Sequence, residues 1–273
     1  MTSEGSTEKE LDRLLAFAED PEASVGIGPD EERLLTDRYC VTFGPGEHVW
    51  STSVGRVRFT DQDDVLAGVA EIRFLMTDRG RSAATWTIGP SATPKALLGR
   101  LLELGMRKES EEGSVILVLA EPPSVKGSPF RVERVRTFEE HLASIDVANE
   151  GFAMGEEDAL DERRRAEATY ESEREGRHSV RLLAFRGDRP IATGQLWLAP
   201  AGLYLGGVAT IPPDRRRGAM SALVAKAWEE AVRAGTSILV TFGGAMSAPT
   251  LERIGFQPKG TVHHLIDRGK PRR

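Results

Sequence analysis

The stretch from Gly202 to Gly235 constrains the fold of this chain more than any other part. It reads GLYLGGVAT, then IPPDRRRG, then AMSALVAKAWEEAVRAG. The first segment is apolar and predicts a strand, in which Gly206 and Gly207 indicate a bulge or a close approach to the backbone. The last segment has apolar residues at helical spacing and a glycine at its end, so it predicts a helix. A strand that turns directly into a helix predicts a mixed α/β fold.

The turn between that strand and that helix predicts an anion site. The first N–H groups of a helix have no partner within the helix, and the positive end of the helix dipole lies at the same place. Gly218 lets a ligand approach the backbone without a side chain in between. Three adjacent arginines add positive charge. These features fit a pyrophosphate, and the sequence contains no Walker lysine motif that would indicate a nucleotide triphosphatase.

The length of 273 residues favours two domains. Strand and helix patterns occur in a similar order on both sides of EPPSVKGSPF, residues 121–130, whose three prolines and glycine predict a boundary. We therefore predict an N-terminal helix and loop over 1–35, a first domain over 36–130 and a second over 131–273. The segment DERRRAEATYESEREG predicts one charged helix with a solvated face.

Charge and composition exclude several classes of function. The net charge of −6 argues against nucleic acid as a partner, and the single cysteine, Cys40, excludes an internal disulfide. The acidic N-terminus does not resemble a signal peptide, and no apolar run reaches membrane-spanning length, so we expect a cytoplasmic protein without a membrane partner. His263 and His264 would point to opposite faces of a strand, and we predict no metal site.

The segment from Arg215 to Met220 resembles motif A of the GCN5-related N-acetyltransferases (GNAT), whose signature is Q/R-x-x-G-x-G/A. LYLGGVAT is similar to the fourth strand of that family, and Ile254-Gly255-Phe256 resembles the end of its closing segment. The resemblance covers roughly residues 131–268. It implies two tandem GNAT-like domains, each a mixed, mostly antiparallel sheet flanked by helices. The first half, with Gly89-Pro90 at a strand-to-helix turn, is similar only in outline and has no arginine–glycine loop, so we expect a single acyl-CoA site in the second half.

The resemblance also implies the ligand and the residues that bind it. The donor would be acetyl-CoA, with the strand backbone pairing with its pantetheine arm and the loop amides holding its pyrophosphate. The implied binding residues are Val208, Ala209, Thr210, Arg215, Arg216, Arg217, Gly218, Ala219, Met220 and Ser221.

Catalytic residues are less clearly marked. In the family a tyrosine of the closing segment serves as the general acid, and here Leu251 takes its place. The strand LYLGGVAT contains no carboxylate to act as a base. The polar candidates are Ser247, Tyr204, Glu171 and Glu173.

The function implied is N-acyl transfer to a primary amine on a small molecule or a protein. The alternative is a non-catalytic acyl-CoA sensor or interaction module that retains the fold. A homodimer is left open.

Overall fold

The computed structural model describes residues 4–28, 30–46, 48–125, 128–176 and 179–269. Outside these residues lie Lys126 and Gly127 of the predicted linker. Residues 1–3 of the predicted N-terminal segment and residues 270–273 of the predicted second domain also lie outside them. The chain forms two compact units, one of Met1–Ile116 with Lys259–Arg273 and one of Leu117–Pro258. We call them unit 1 and unit 2. The predicted domains 1–35, 36–130 and 131–273 use different limits and stay a prediction.

Unit 1 is an α/β unit whose strands are largely antiparallel. Its elements are α1 (Glu4–Glu19), β1 (Glu32–Leu35), β2 (Cys40–Phe43), β3 (Thr52–Gly55), α2 (Gln62–Asp78), β4 (Ala84–Ile88), α3 (Leu97–Glu103), β5 (Arg107–Lys108) and β6 (Ser114–Leu119), the last of which contributes residues to both units. The strand β12 (Gln257–Asp267) comes from the end of the chain, and its residues from Lys259 onward belong to unit 1.

The sheet of unit 1 has the order β1-β2-β3-β4-β12, with β5 also paired to β12. Only β3 and β4 are parallel in this series, and they pair through Ser53 with Thr85 and Val54 with Trp86. Trp86 is fully buried at the centre of the apolar core. The helix α2 begins at the predicted N-cap, Asp61, whose carboxylate accepts from the first-turn amides of the helix.

Unit 2 contains the stretch from Gly202 to Gly235. Its remaining elements are β7 (Arg131–Arg134), α4 (Phe138–Phe152), α5 (Glu156–Arg164), α6 (Ala166–Gly176), β8 (Ser179–Arg186), β9 (Arg189–Ala199), β10 (Gly202–Thr210), α7 (Ala219–Arg233), β11 (Leu239–Gly243) and α8 (Ala248–Ile254). The sheet has the order β11-β10-β9-β8-β7, in which only β10 and β11 are parallel.

Helices cover the two faces of this sheet differently. The helix α7 contributes a buried face that includes Leu223 and Ala227, and the strand residues Leu182, Leu196 and Leu205 are also fully buried. The opposite face carries the polar and aromatic residues described below, most of them half-buried. This alternation follows from the period of two along a strand.

The charged segment that the sequence predicts as one helix is two helices. The helix α5 ends at Arg164 and α6 begins at Ala166, which is fully buried. Arg165 at the break forms ion pairs with Asp161 and Glu162. The buried alanine shows that this segment is anchored in the unit, which the charge pattern alone did not indicate.

Candidate functional site

The N-terminus of α7 is not capped by a side chain. Its N-cap residue is Gly218, at φ 96°, and the first helical bond runs from the amide of Ala222 to the carbonyl of Gly218 at 3.1 Å. Within the residues that the structure describes, the amides of residues 216–221 donate to no protein acceptor. Successive free amides at the positive end of a fifteen-residue helix are the local features that the predicted anion site requires.

The loop before α7 owes its conformation to two left-handed residues and a buried acid. Arg216 has φ 62° and Gly218 φ 96°, and a Cβ at Gly218 would meet only a ring carbon of Phe130, at 3.9 Å. Asp214 is fully buried and contacts Arg186, with Nη1 to Oδ1 at 3.0 Å and Nη2 to Oδ2 at 3.2 Å. The loop is therefore held on its buried side by the contact between Asp214 and Arg186. Its three arginines are exposed to solvent.

The three arginines are not equivalent. Arg215 turns back from the loop: its Nη2 donates to the carbonyl of Gly151 at 2.6 Å, and its Nε donates to the carbonyl of Thr210 at 3.2 Å. Gly151 lies near the end of α4 and Thr210 is the last residue of β10. Arg215 therefore joins three elements, in addition to supplying the charge predicted from the sequence.

The strand β10 separates from β11 before either strand ends. The two are paired at Leu203 with Leu239 and at Tyr204 with Val240, and the described residues include no pair beyond Tyr204. On its other edge β10 stays paired to β9 through Thr210, with a bulge between Gly206 and Ala209. One edge of β10 is thus open toward β11 over residues 205–210, which include the predicted Val208, Ala209 and Thr210.

The open strand edge and the free helix end are adjacent, because the loop of residues 211–218 connects them directly. The helix α4 packs closely against the end of the strand: a Cβ at Gly151 would lie 2.8 Å from the Cβ of Ala209 and 3.2 Å from the amide nitrogen of Thr210. A larger residue at position 151 would push α4 away from this end of the strand. The structure therefore brings all ten predicted binding residues together on one strand, one loop and one helix turn.

Two of the predicted catalytic candidates lie on β10 and after β11. Tyr204 stacks on Trp197 with ring centroids 5.5 Å apart, and it contacts the ring of Phe242 at 5.9 Å. Ser247 precedes α8, and its hydroxyl donates to the carbonyl of Gly244 at 3.4 Å. Leu251 is buried inside α8 and cannot donate a proton.

The other two candidates lie on α6 and are engaged in ion pairs. Glu171 pairs with Arg174 one helical turn away. Glu173 pairs with Arg181 and accepts from the amide of Gln195 at 3.0 Å. Both carboxylates are therefore already in contact with a cationic partner on the chain itself.

A buried histidine adjoins Glu173. His141 of α4 is fully buried, and its Nδ1 lies 3.7 Å from Oε2 of Glu173. Desolvation, together with the charge of Arg181, lowers the pKa of His141 to about 4, although the Glu173 carboxylate acts in the opposite direction. The imidazole is therefore neutral near pH 7.

Four residues that contact the predicted site or its candidates were not predicted from the sequence: His141, Gln195, Gly151 and Arg186. His141 stands four residues before the buried Ile145 on α4, so the helical spacing was a usable signal for its burial. The other three depend on contacts between elements distant in sequence, for which a single sequence offers no signal.

The corresponding place in unit 1 is filled by the chain's own carboxylates. In unit 1 the helix α2 follows β3 and precedes β4 along the chain, and these two strands are parallel. The helix α7 stands in the same way between the parallel strands β10 and β11. Asp61 accepts from the amides of Asp63 and Asp64 at 3.0 and 2.9 Å, and Asp64 accepts from the amide of Thr60 at 2.8 Å. The carboxylate of Asp61 thus caps the N-terminus of α2, and Asp64, which also pairs with Arg38, lies beside it.

The strand ends of unit 1 are occupied as well. Glu19 accepts from the amide of Ser91 at 3.0 Å and from its hydroxyl at 2.7 Å, just after β4. A Cβ at Gly55, the last residue of β3, would lie 2.7 Å from Oδ1 of Asp20. Glu19 and Asp20 are both buried. The arrangement found in unit 2, an uncapped helix beside an open strand, is therefore not repeated among the described residues of unit 1.

The described residues contain neither a metal cluster nor a membrane-spanning helix. No group of three or more histidine, cysteine or acidic residues there could hold a metal ion. No described helix combines the length and the apolar character needed to cross a membrane.

Comparisons with known proteins agree with this geometry. The model of the acetyltransferase (GNAT) family matches residues 145–256. A comparison with curated proteins found no match.

Solved structures share the fold over nearly the whole chain. A GCN5-related N-acetyltransferase from Kribbella flavida is 18% identical over 94% of this chain and 96% of its own, with a TM-score of 0.66. A tandem GNAT protein from the clavulanic acid biosynthesis pathway is 12% identical over 99% of this chain and 97% of its own, with a TM-score of 0.56. A GCN5-related N-acetyltransferase from Sphaerobacter thermophilus is 16% identical over 86% and 81%, with a TM-score of 0.51. Residues 145–256 thus match the GNAT acetyltransferase family, and the chain shares its fold with GCN5-related N-acetyltransferases and with a tandem GNAT protein.

Proposed function

We propose that this protein is an N-acyltransferase whose unit 2 binds acetyl-CoA or another short acyl-CoA and transfers the acyl group to a primary amine. The observation that carries the proposal is the run of free amides over residues 216–221 beside the open edge of β10. The general activity of the GNAT family, acyl transfer from acetyl-CoA, agrees with it. The amine acceptor, a homodimer and a cytoplasmic location stay predictions.

The residues present fit a pyrophosphate followed by an extended amide-bearing arm. The free amides at α7 and the exposed Arg216 and Arg217 would hold the phosphates, because a helix N-terminus favours negative charge. The open edge of β10 offers backbone donors and acceptors to an extended chain, as a neighbouring strand would. When bound, acyl-CoA supplies an acyl group activated as a thioester.

The main contribution of the chain to the chemistry is to place the amine and the acyl group next to each other. Bringing an amine next to a fixed acyl group removes much of the entropic barrier. Backbone N–H groups on the open edge of β10 can stabilise negative charge on the acyl oxygen. An amine with a pKa of about 10.4 must first lose a proton, which an apolar surface such as that of Trp197 and Phe242 favours. Tyr204 on β10 and Ser247 after β11 each carry a hydroxyl that could donate a proton to the leaving thiolate.

Binding is tested by titration calorimetry of the full chain with CoA and acetyl-CoA. Gly218→Asp should abolish binding, because the new carboxylate would cap the free amides and repel phosphate. Gly99→Asp is the matched control, since Gly99 lies in α3 of unit 1 with open space around it. Unchanged affinity in Gly218→Asp would refute the assignment of the phosphate site.

The alternative is an acyl-CoA sensor without turnover, and two observations favour it. Leu251 is buried where the family's general acid would stand, and Glu173 is engaged by Arg181. Thiol release from acetyl-CoA across a panel of primary amines separates the two functions. Tight binding without thiol release above the no-amine background would favour the sensor and reject the enzyme.

A further inference from the structure

The gap between β10 and β11 has a closed end and an open end. The last pair that holds the strands together is Tyr204 with Val240, and the strands diverge from there toward the loop before α7. With phosphates on residues 216–221 and an arm along Thr210 to Val208, the far end of a bound acyl-CoA would point toward Tyr204. This direction rests on the function proposed above.

Aromatic side chains converge on the closed end from one face of the sheet. Tyr204 of β10 and Phe242 of β11 contact each other across the two strands, with ring centroids 5.9 Å apart. Trp197 of β9 pairs with Tyr204 in the sheet and stacks on it at an interplanar angle of 24°. The three rings therefore support one another as a wall.

The Tyr204 ring also extends along the strand toward the open end. A Cβ at Gly206 would lie 3.0 Å from both Cζ and the hydroxyl of Tyr204, and 3.0 Å from Cζ3 of Trp197. A side chain at position 206 would therefore crowd both rings, and the glycine lets them lie close over this part of β10. At most about 7 Å of strand separates Gly206 from Val208, because a strand rises no more than about 3.4 Å per residue and this part of β10 contains the bulge.

The opposite face of the closed end is filled too. Leu205 and Leu239 are fully buried there, and Thr241 is nearly so. On this face a long acyl chain would have to displace packed side chains, which is costly in a dense interior, and on the other face it would meet the three rings.

We infer that Tyr204, supported by Trp197 and Phe242, ends the acyl-binding gap and restricts the donor to short acyl groups. These residues determine chain-length specificity, a role separate from any proton transfer by the Tyr204 hydroxyl. The relevant property is the ring, so removing the hydroxyl alone leaves the restriction intact.

The test needs no knowledge of the amine, because the affinities of acyl-CoAs for the full chain are measured directly by calorimetry. The wild-type protein should bind acetyl-CoA more tightly than octanoyl-CoA by about tenfold or more. Tyr204→Ala and Phe242→Ala should each reduce this ratio by most of that factor, while Tyr204→Phe retains it. Phe74→Ala, a change of an exposed ring on α2 of unit 1, is the matched control and should leave the ratio unchanged.

The outcomes separate this inference from the proposed function. If the wild-type protein binds acetyl-CoA and octanoyl-CoA equally well, the wall does not restrict the donor, and no variant is needed to reach that conclusion. The same conclusion follows if folded Tyr204→Ala and Phe242→Ala retain the wild-type ratio. If neither CoA nor any acyl-CoA binds, the proposed function is rejected and this inference with it.

Discussion

Arg215 donates from Nη2 to the carbonyl oxygen of Gly151 at 2.6 Å, and so joins the loop before α7 to the end of α4. A cation at the C-terminal end of a helix also interacts favourably with the helix dipole. The sequence marks Arg215 as a source of charge for a phosphate. The structure adds a positioning role, because the guanidinium also holds the carbonyl of Thr210.

Replacing Arg215 by lysine separates charge from position. Lysine retains the charge but lacks the planar fork that reaches two carbonyl groups. If the two contacts to the carbonyls of Gly151 and Thr210 matter more than the charge, Arg215→Lys and Arg215→Ala should both weaken CoA binding about fivefold. This factor corresponds to about 1 kcal/mol, as expected for an exposed charge-assisted contact. Calorimetry with CoA measures the difference. Wild-type affinity in Arg215→Lys together with a loss in Arg215→Ala would assign the arginine to charge alone.

The N-terminus of α7 in unit 2 is free, whereas that of α2 in unit 1 is capped, so we expect each chain to bind a single CoA. In unit 1 the Asp61 carboxylate caps α2, and Glu19 and Asp20 occupy the strand ends. Asp61→Ala should therefore lower the stability of the protein by about 1 kcal/mol, the usual effect of losing an N-cap. The stoichiometry of CoA in calorimetry should stay unchanged, since the strand ends remain filled. A second equivalent of CoA bound by the wild type or by Asp61→Ala would contradict this assignment.

Because the pKa of His141 is lowered by burial, we expect the protein to lose stability in weak acid. Burial lowers its pKa from 6.5 to about 4, so between these values the unfolded chain binds a proton that the folded protein does not. Stability should fall as the pH drops from about 6.5 toward 4, by up to about 3 kcal/mol. Urea unfolding at several pH values measures this for the wild type and for His141→Leu, which has no proton to bind. Parallel pH profiles for the two proteins would show that His141 does not contribute.

For Asp20 we expect the opposite dependence of stability on pH, because its pKa is raised. Burial, against a hydrogen bond from the amide of Arg56, raises the pKa of its carboxyl from 3.8 to about 6. Its folded form binds the proton more tightly, so stability from this group is present at low pH and lost as the pH rises through about 6. Asp20→Asn keeps an oxygen acceptor without the charge and should stabilise the protein at pH 8 by up to about 3 kcal/mol.

The benefit of Asp20→Asn should shrink as the pH is lowered toward 4.5, where the wild-type carboxyl is protonated. Asp12→Asn on the exposed part of α1 is the matched control and should have little effect at either pH. Thermal or urea unfolding at the two pH values provides the comparison. A destabilised Asp20→Asn at pH 8 would mean that the ionised carboxylate is needed in the fold.

Local signals in the sequence correctly predicted much of the structure. Apolar spacing and Gly235 predicted α7, Asp61 predicted the start of α2, and the Gly187-Asp188 pair predicted the turn between β8 and β9. Each of these features depends on residues within a few positions of one another. The order of strand, loop and helix could therefore be predicted from the sequence, and the anion site that depends on it stays a prediction.

The sequence by itself determined that a glycine and free amides follow a strand in unit 2, because helix ends and turns depend on neighbouring residues. Only the tertiary structure decided which carbonyls hold Arg215, that Glu173 is engaged by Arg181, and that β12 pairs with β4 through His263 and Ile88. It also decided that Tyr204 lies over Gly206 against Trp197. These contacts join residues on different elements, some of them far apart in the chain, and the packing that selects them leaves no periodic or local mark in a single sequence.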